Sequence, residues 1–290
     1  MINYEARAVA SIPPLRLGEG PCWDAGIQAL YFVDILGKAL HRYYPNDDVH
    51  QVFDMAKLIG TVAPTRGESV LVALEDGVYT FNPSSGEMKL FCAIERDIPD
   101  NRFNDGKCDP SGHFYVGSML HRETGEATGN LYCVKADGSV RRILDGVTVS
   151  NGIGYSPDQR TMYYIDTPTL SVEAFDHDIL TGALSNRRSV VSIAPGEGGP
   201  DGMTVDVEGM LWVAQWGGYR VCRYDPANGK KLAEIHVSAE RTSACAFGGP
   251  NMNELFITTA MGGEPGLEDG RLFKATLPVR GLAAFHFAGL

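Results

Sequence analysis

The sequence predicts an all-β protein, a six-bladed β-propeller formed by residues 1–290 as one domain, with a metal site in its central channel. Three observations carry the fold. A weak repeat recurs about every 42–50 residues, the period of a four-stranded propeller blade. Each unit consists of short runs rich in Val, Tyr, Phe and Trp, bounded by Gly, Asp or Pro. No amphipathic helical stretch of useful length interrupts them.

The units follow one another in order. The first has runs at 20–24, 29–34 and 39–43, and the second at 60–64, 69–74 and 77–81. The third has runs at 104–109, 113–117 and 129–134, and the fourth at 151–155, 161–166 and 172–176. The fifth has runs at 201–206, 210–214 and 219–224, and the sixth at 243–247, 254–258 and 270–275. The terminal segments 5–11 and 282–287 have no complete unit of their own. One or both are expected to pair into a shared blade and close the ring, which removes open sheet edges. A β-sandwich or a pair of barrels gives no reason for six copies in one register.

Composition supports this and narrows the partners. The chain has 34 glycines without a collagen-like period, which fits many tight turns. The net charge of -11, with no Lys/Arg run longer than two, argues against a nucleic-acid or membrane partner and is compatible with a cation site. None of the six cysteines forms a C-x-x-C pair, and several lie in apolar runs, so buried reduced thiols are expected. The first twenty residues lack an apolar signal core and no 18-residue apolar run exists, which suggests a cytoplasmic protein. A monomer or small homo-oligomer is expected.

In a propeller the first strand of each blade lines the channel, and residues just before it converge at one mouth. Here those positions hold Glu19, Asn104, Asn151 and Asp201, while the second and sixth units offer Gly60 and Ser243. Asn-Gly and Asp-Gly are ordinarily turn dipeptides. Four oxygen donors in one register favour a site instead. Two carboxylates and two amides suit a hard divalent ion such as calcium or magnesium, and also accommodate manganese, zinc or ferrous iron. No histidine stands at an equivalent position, which disfavours a histidine-rich zinc site.

The motifs Leu17-Gly18-Glu19-Gly20-Pro21, 101–110 (Asn101-Arg102-Phe103-Asn104 onward), Gly117-Ser118-Met119, Ser150-Asn151-Gly152-Ile153 and Pro200-Asp201-Gly202-Met203 occur in order and at blade spacing. Together they resemble the senescence-marker protein 30/gluconolactonase/regucalcin family over nearly the whole chain. The resemblance implies a mononuclear metal site of Glu19, Asn151 and Asp201, with Asn104 nearby, and a substrate held by Arg102 and Asn104. It implies hydrolysis of a sugar-acid lactone such as arabinono-, xylono- or gluconolactone. Animal members carry acidic residues after the Gly-Thr-Met stretch; here Leu120-His121-Arg122-Glu123 follows, which places His121 and Arg122 as substrate contacts of altered chemistry.

The corresponding mechanism makes the metal a Lewis acid, Asp201 the general base and Arg102 an oxyanion stabiliser. Rival functions are a metal-dependent phosphotriesterase or aryl esterase on the same scaffold, and a non-catalytic calcium-binding propeller. Asp109, His113, His121 and Ser118 suggest a serine triad, but no Gly-x-Ser-x-Gly elbow is present. Trp212 and Trp216 are candidate pocket residues, with Trp212 alternating as a core residue. The Gly-rich stretches 120–129, 194–200 and 261–270 are either hairpin connections or covers for the mouth.

Overall fold

The computed structural model describes residues 2–122, 124–262 and 268–289. Among these the regular structure is almost all strand; the one helix is a single 3₁₀ turn, Thr167–Thr169. Four consecutive four-stranded antiparallel sheets come first, with inner strands Gly18–Asp24, Ile59–Pro64, Asn101–Cys108 and Ser150–Tyr155. The fifth blade starts with Gly199–Val205 and the sixth with Arg241–Gly248; a bridge between Trp216 and Arg241 joins these two into one larger sheet.

The six inner strands pack side by side in sequence, and the sixth packs back on the first. The ring is therefore closed. Burial follows the radial position. The inner strand Ile59–Pro64 is buried throughout, whereas the outer strand Val49–Asp54 of the first blade is mostly exposed. Apolar side chains fill the wedges between blades. Tyr31, Val33 and Leu40 of blade one meet Val62, Val70 and Val72 of blade two in one such cluster.

The N-terminus completes two blades. Arg7–Ala8 pairs antiparallel with Phe273–Thr276 as the fourth strand of blade six, the expected closure. Ile2–Glu5 adds a fifth strand to blade five, parallel to Lys230–His236. The C-terminal run behaves differently: it adds no strand to a blade and makes only isolated bridges, Gly281 to Asp206 and Phe287 to Thr65. The Leu282 amide donates to Val205, the Phe287 amide to Pro64 and the Ala288 amide to Gly112. This run thus crosses the channel end formed by the late residues of the inner strands, and Leu282 to Phe285 cover a cavity there.

Every inner strand carries a register shift at the same place. The shifts fall between Glu19 and Cys22, Ile59 and Thr61, Phe103 and Gly106, Ser150 and Ile153, Pro200 and Met203, and Thr242 and Ala244. Each inserts one residue and bends the strand, a bulge that re-aims a side chain. Gly20, with φ of 53°, supplies the left-handed conformation at the first. At the second, Gly60 lets two blades touch: an added Cβ would stand 2.5 Å from the Phe103 carbonyl carbon and 2.7 Å from the Asn104 oxygen. Backbone on both sides leaves little room to yield. We predict that Gly60→Ala lowers stability by about 2–3 kcal/mol, read as a lower urea midpoint. A wild-type midpoint would contradict this inter-blade packing.

Candidate active site

Glu19, Asn104, Asn151 and Asp201 lie at or beside these bulges, inside the inner strands rather than in the loops before them. That corrects the expected placement. The reason is geometric: a bulge within a strand aims side chains at the axis while the sheet holds the backbone on both sides. The four residues, with Arg102, line one cavity of about 130 Å³. Leu17, Met119, Val149, Thr167 and Trp216 complete its wall.

All five polar residues are buried, with exposures between 3% for Asn151 and 5% for Glu19 and Asn104. Buried polar groups need partners, and a directed chain of hydrogen bonds crosses three blades. The Arg102 guanidinium donates to Asn104 Oδ1 at 2.6 Å and to the Phe103 carbonyl at 3.2 Å. Asn104 Nδ2 donates to Asn151 Oδ1 at 3.0 Å and to the Ser150 carbonyl at 2.9 Å. Asn151 Nδ2 donates to Thr167 Oγ1 at 2.8 Å, and that hydroxyl donates to the Pro200 carbonyl at 2.8 Å. Arg102 thus sets which way both amides face. Asn151 Oδ1 uses one lone pair on Asn104 and keeps the other.

Burial in this apolar surround pushes the Glu19 carboxyl up to about 8, and the negative Asp105 nearby adds to the rise. The Gly20 amide, 3.1 Å from Glu19 Oε2, and the Arg102 charge oppose it only partly. Asp105 is itself raised, first by burial, with Lys107 and the Gly106 amide opposing. A cation beside Glu19 reverses the effect of burial, because it favours the ionised form.

The donor set is all oxygen: two carboxylates and one or two amides. Among the described residues no group of three His, Cys, Asp or Glu gathers for a metal. The amides of Asn151 and Asn104 fill that deficit. Such a set, lining one buried cavity, fits a hard divalent ion.

The remaining expected contacts fall elsewhere. His121 and Arg122 line a separate cleft on the rim and not this cavity; Arg102 belongs to both. Trp216 lines the cavity, with the Arg241 guanidinium 5.5 Å from its ring centroid. Trp212 is core, only 1% exposed, and donates from Nε1 to Asp206 at 2.9 Å. None of residues 194–200 lines the cavity, and the Arg220 guanidinium donates to the Glu197 carbonyl at 3.3 Å. Glu123 and 263–267 of the other two candidate covers lie outside the described residues. The sequence gives no register signal for Thr167, which bridges two blades from the end of a second strand, or for Met119 and Val149.

No serine triad forms. The Ser118 hydroxyl donates to Glu95 at 2.7 Å. Asp109 instead gathers two histidines away from the channel. It accepts from the backbone and the Nδ1 of His113 at 2.8 and 2.9 Å, and lies 3.4 Å from His177 Nε2, an ion-pair distance. Burial alone would depress His177, but the Asp109 carboxylate and the Gln159 carbonyl outweigh it and raise its pKa. Burial alone would raise Asp109, but the two histidines and the His113 amide hold it below 3.8. All six cysteines are free; Cys108, Cys133, Cys222 and Cys245 are buried as expected, whereas Cys22 and Cys92 are partly exposed.

Residues 17–261 match the family described as SMP-30/Gluconolactonase/LRE-like region. Human regucalcin is 38% identical over 286 residues, covering 94% of this chain and 95% of that protein. A luciferin-regenerating enzyme superposes with a TM-score of 0.93 at 31% identity, covering 98% of this chain and 99% of the other. A regucalcin from Agrobacterium tumefaciens, described as a calcium-binding protein, gives 0.92 at 28% identity over 99% of this chain and 98% of its own. With a family match over most of its length and a relative of that identity, this chain belongs to the SMP-30/gluconolactonase/LRE-like family.

Proposed function

We propose that the chain hydrolyses the ring ester of a sugar-acid lactone, using one divalent ion held by Glu19, Asn151 and Asp201. The observation that carries this reading is the convergence of those three donors, from three blades, on one buried cavity that also holds Arg102 and Asn104. Membership of a family whose name includes gluconolactonase supports it.

A divalent ion bound by these donors supplies Lewis-acid polarisation of the ester. The chain's own residues do the rest. Asp201 accepts a proton from the attacking water as its oxygen bonds to the ring carbonyl carbon. The Arg102 guanidinium faces the oxyanion that develops on the former carbonyl oxygen and stabilises it. When the ring C–O bond breaks, the proton on Asp201 passes to the alkoxide, and the open-chain hydroxy acid forms. Asn104, whose Nδ2 is committed to Ser150 and Asn151, keeps one Oδ1 lone pair to accept from a substrate hydroxyl. Leu17, Val149, Met119 and Trp216 keep bulk water from the reacting atoms.

The test is a panel of lactones assayed with metal-free protein to which Ca, Mg, Mn, Zn or Fe(II) is returned singly. The reading predicts no turnover without metal and recovery with at least one ion. Turnover of aryl esters or phosphotriesters but of no lactone contradicts it.

Glu19 also sets a pH dependence. With its proton held to about pH 8, a cation must displace that proton to bind. We predict that divalent-ion affinity rises about tenfold per pH unit from 6 to 8 and levels off above. Calorimetry in buffers of different ionisation enthalpy should show about one proton released near pH 7. A flat affinity over this range would contradict the Glu19 assignment.

A further inference from the structure

The cleft beside Arg102 has chemistry that the cavity lacks. It encloses about 490 Å³ and shares Arg102 as a wall with the smaller inner cavity of about 130 Å³. A substrate group lying on the far side of Arg102 from the cavity would meet this cleft. Arg96, His121 and Arg122 project there from two segments, one following blade two and the other in blade three. Arg96 and Arg122 make no hydrogen bond or ion pair among the described residues.

Two of the cleft's carboxylates have fixed partners. Glu95 is buried and accepts from Asn101, Ser118, Asn130 and Tyr132 at 2.7 to 3.1 Å. Asp76 takes Lys57 at 2.7 Å and the Tyr79 hydroxyl at 3.0 Å. Glu75 and Asp100 also line the cleft, so its four carboxylates stand beside Arg96, Arg102, Arg122 and His121. In a chain of net charge -11, Arg96 and Arg122 place two cationic groups without a fixed counter-charge among the described residues on this wall. A concave wall concentrates such a field more than a flat surface does.

The floor is rigid enough to aim it. Glu95, at a left-handed φ of 58°, turns the chain so that Arg96 enters the cleft, and its four donors pin that turn. The His121 amide on the Asp100 carbonyl, at 2.8 Å, fixes the opposite wall.

From this geometry we propose that the substrate carries a second, anionic group at the end remote from its ring ester, and that Arg96 and Arg122 bind it. The inference rests on the lactonase reading and narrows its substrate class. Guanidinium groups bind carboxylate and phosphate alike through paired N–H donors. The experiment separates the two sources.

The test compares kcat/KM on a neutral aldonolactone, the matching lactone with a terminal carboxylate, and one with a terminal phosphate. Wild type is expected to favour one of the anionic lactones by about tenfold or more, and the preference should shrink as salt rises from about 20 to 500 mM. Arg96→Gln with Arg122→Gln is expected to lower the anionic-to-neutral ratio about tenfold. Binding of the open-chain products to the metal-loaded protein gives a second readout that needs no turnover. The dianionic product should bind more tightly than the mono-anion in wild type, and equally in the double variant. Equal or better use of the neutral lactone, or a preference that survives both substitutions, overturns the inference. Failure of every lactone to turn over, with the difference in product binding intact, instead points at the lactonase reading.

Discussion

Asp201→Asn is expected to lower kcat for lactone hydrolysis by about 10³-fold or more while the protein stays folded. The residue has two tasks that an amide cannot share. As a base it must take a proton from water, and removal of a positioned base typically costs about 10²–10⁴-fold. As a ligand it contributes one of only two carboxylates in the proposed metal set, so the variant should also hold a divalent ion more weakly. Asparagine is nearly isosteric, and Asp201 is 4% exposed, so packing changes little. The two roles separate in titration. If saturating metal restores the ion but not the rate, the missing base explains the loss. If saturating metal restores the full rate, Asp201 is a ligand only. Undiminished activity without added metal contradicts both roles.

A second large effect is expected far from the cavity. Asp109→Asn should destabilise the fold by about 3 kcal/mol or more, because it strips the partner from a buried histidine. The Asp109 and His177 side chains are both fully buried, so solvent screens their interaction little. The sign with pH follows from the two shifts. Asp109 is depressed, so its contribution is present above 3.8 and is lost as pH falls through its folded value. His177 is raised, so its contribution is present below 6.5 and is lost as pH rises through its folded value. The difference between wild type and variant in urea midpoint should therefore be larger at pH 5.5 than at pH 9. An equal difference at both would mean that the histidine charge has no part.

Much of this architecture was legible because a propeller repeats. Glu19, Asn104, Asn151 and Asp201 occupy one position of the repeat, and a closed ring brings equal positions together. Their placement inside strands was not legible, because a bulge written as Asn-Asp or Asp-Gly resembles a turn. Thr167 and Trp216 reach the cavity from the ends of the second strands of blades four and five, opposite Val149 and Gly199, a position that the motifs did not mark. Asp109 has a repeat counterpart in Asp206, which accepts the same two hairpin amides. Asp206 turns to Trp212 and Arg223 of its own blade, whereas Asp109 reaches His177 of the next. The C-terminal run, though strand-like in composition, finds its partners across the channel end, where Val205, Pro64 and Gly112 offer free carbonyls. Arg122 and His121 illustrate a different limit. Their departure from the expected acidic type was visible, but the sequence did not show that they face a cleft shared with Arg96.

Anomalous diffraction from crystals soaked in manganese or calcium tests the central claim most directly. A single strong peak among the oxygens of Glu19, Asn151 and Asp201, absent in Glu19→Gln crystals soaked alike, is the predicted result. A peak at another place, or none between these three side chains at saturating ion, would contradict it.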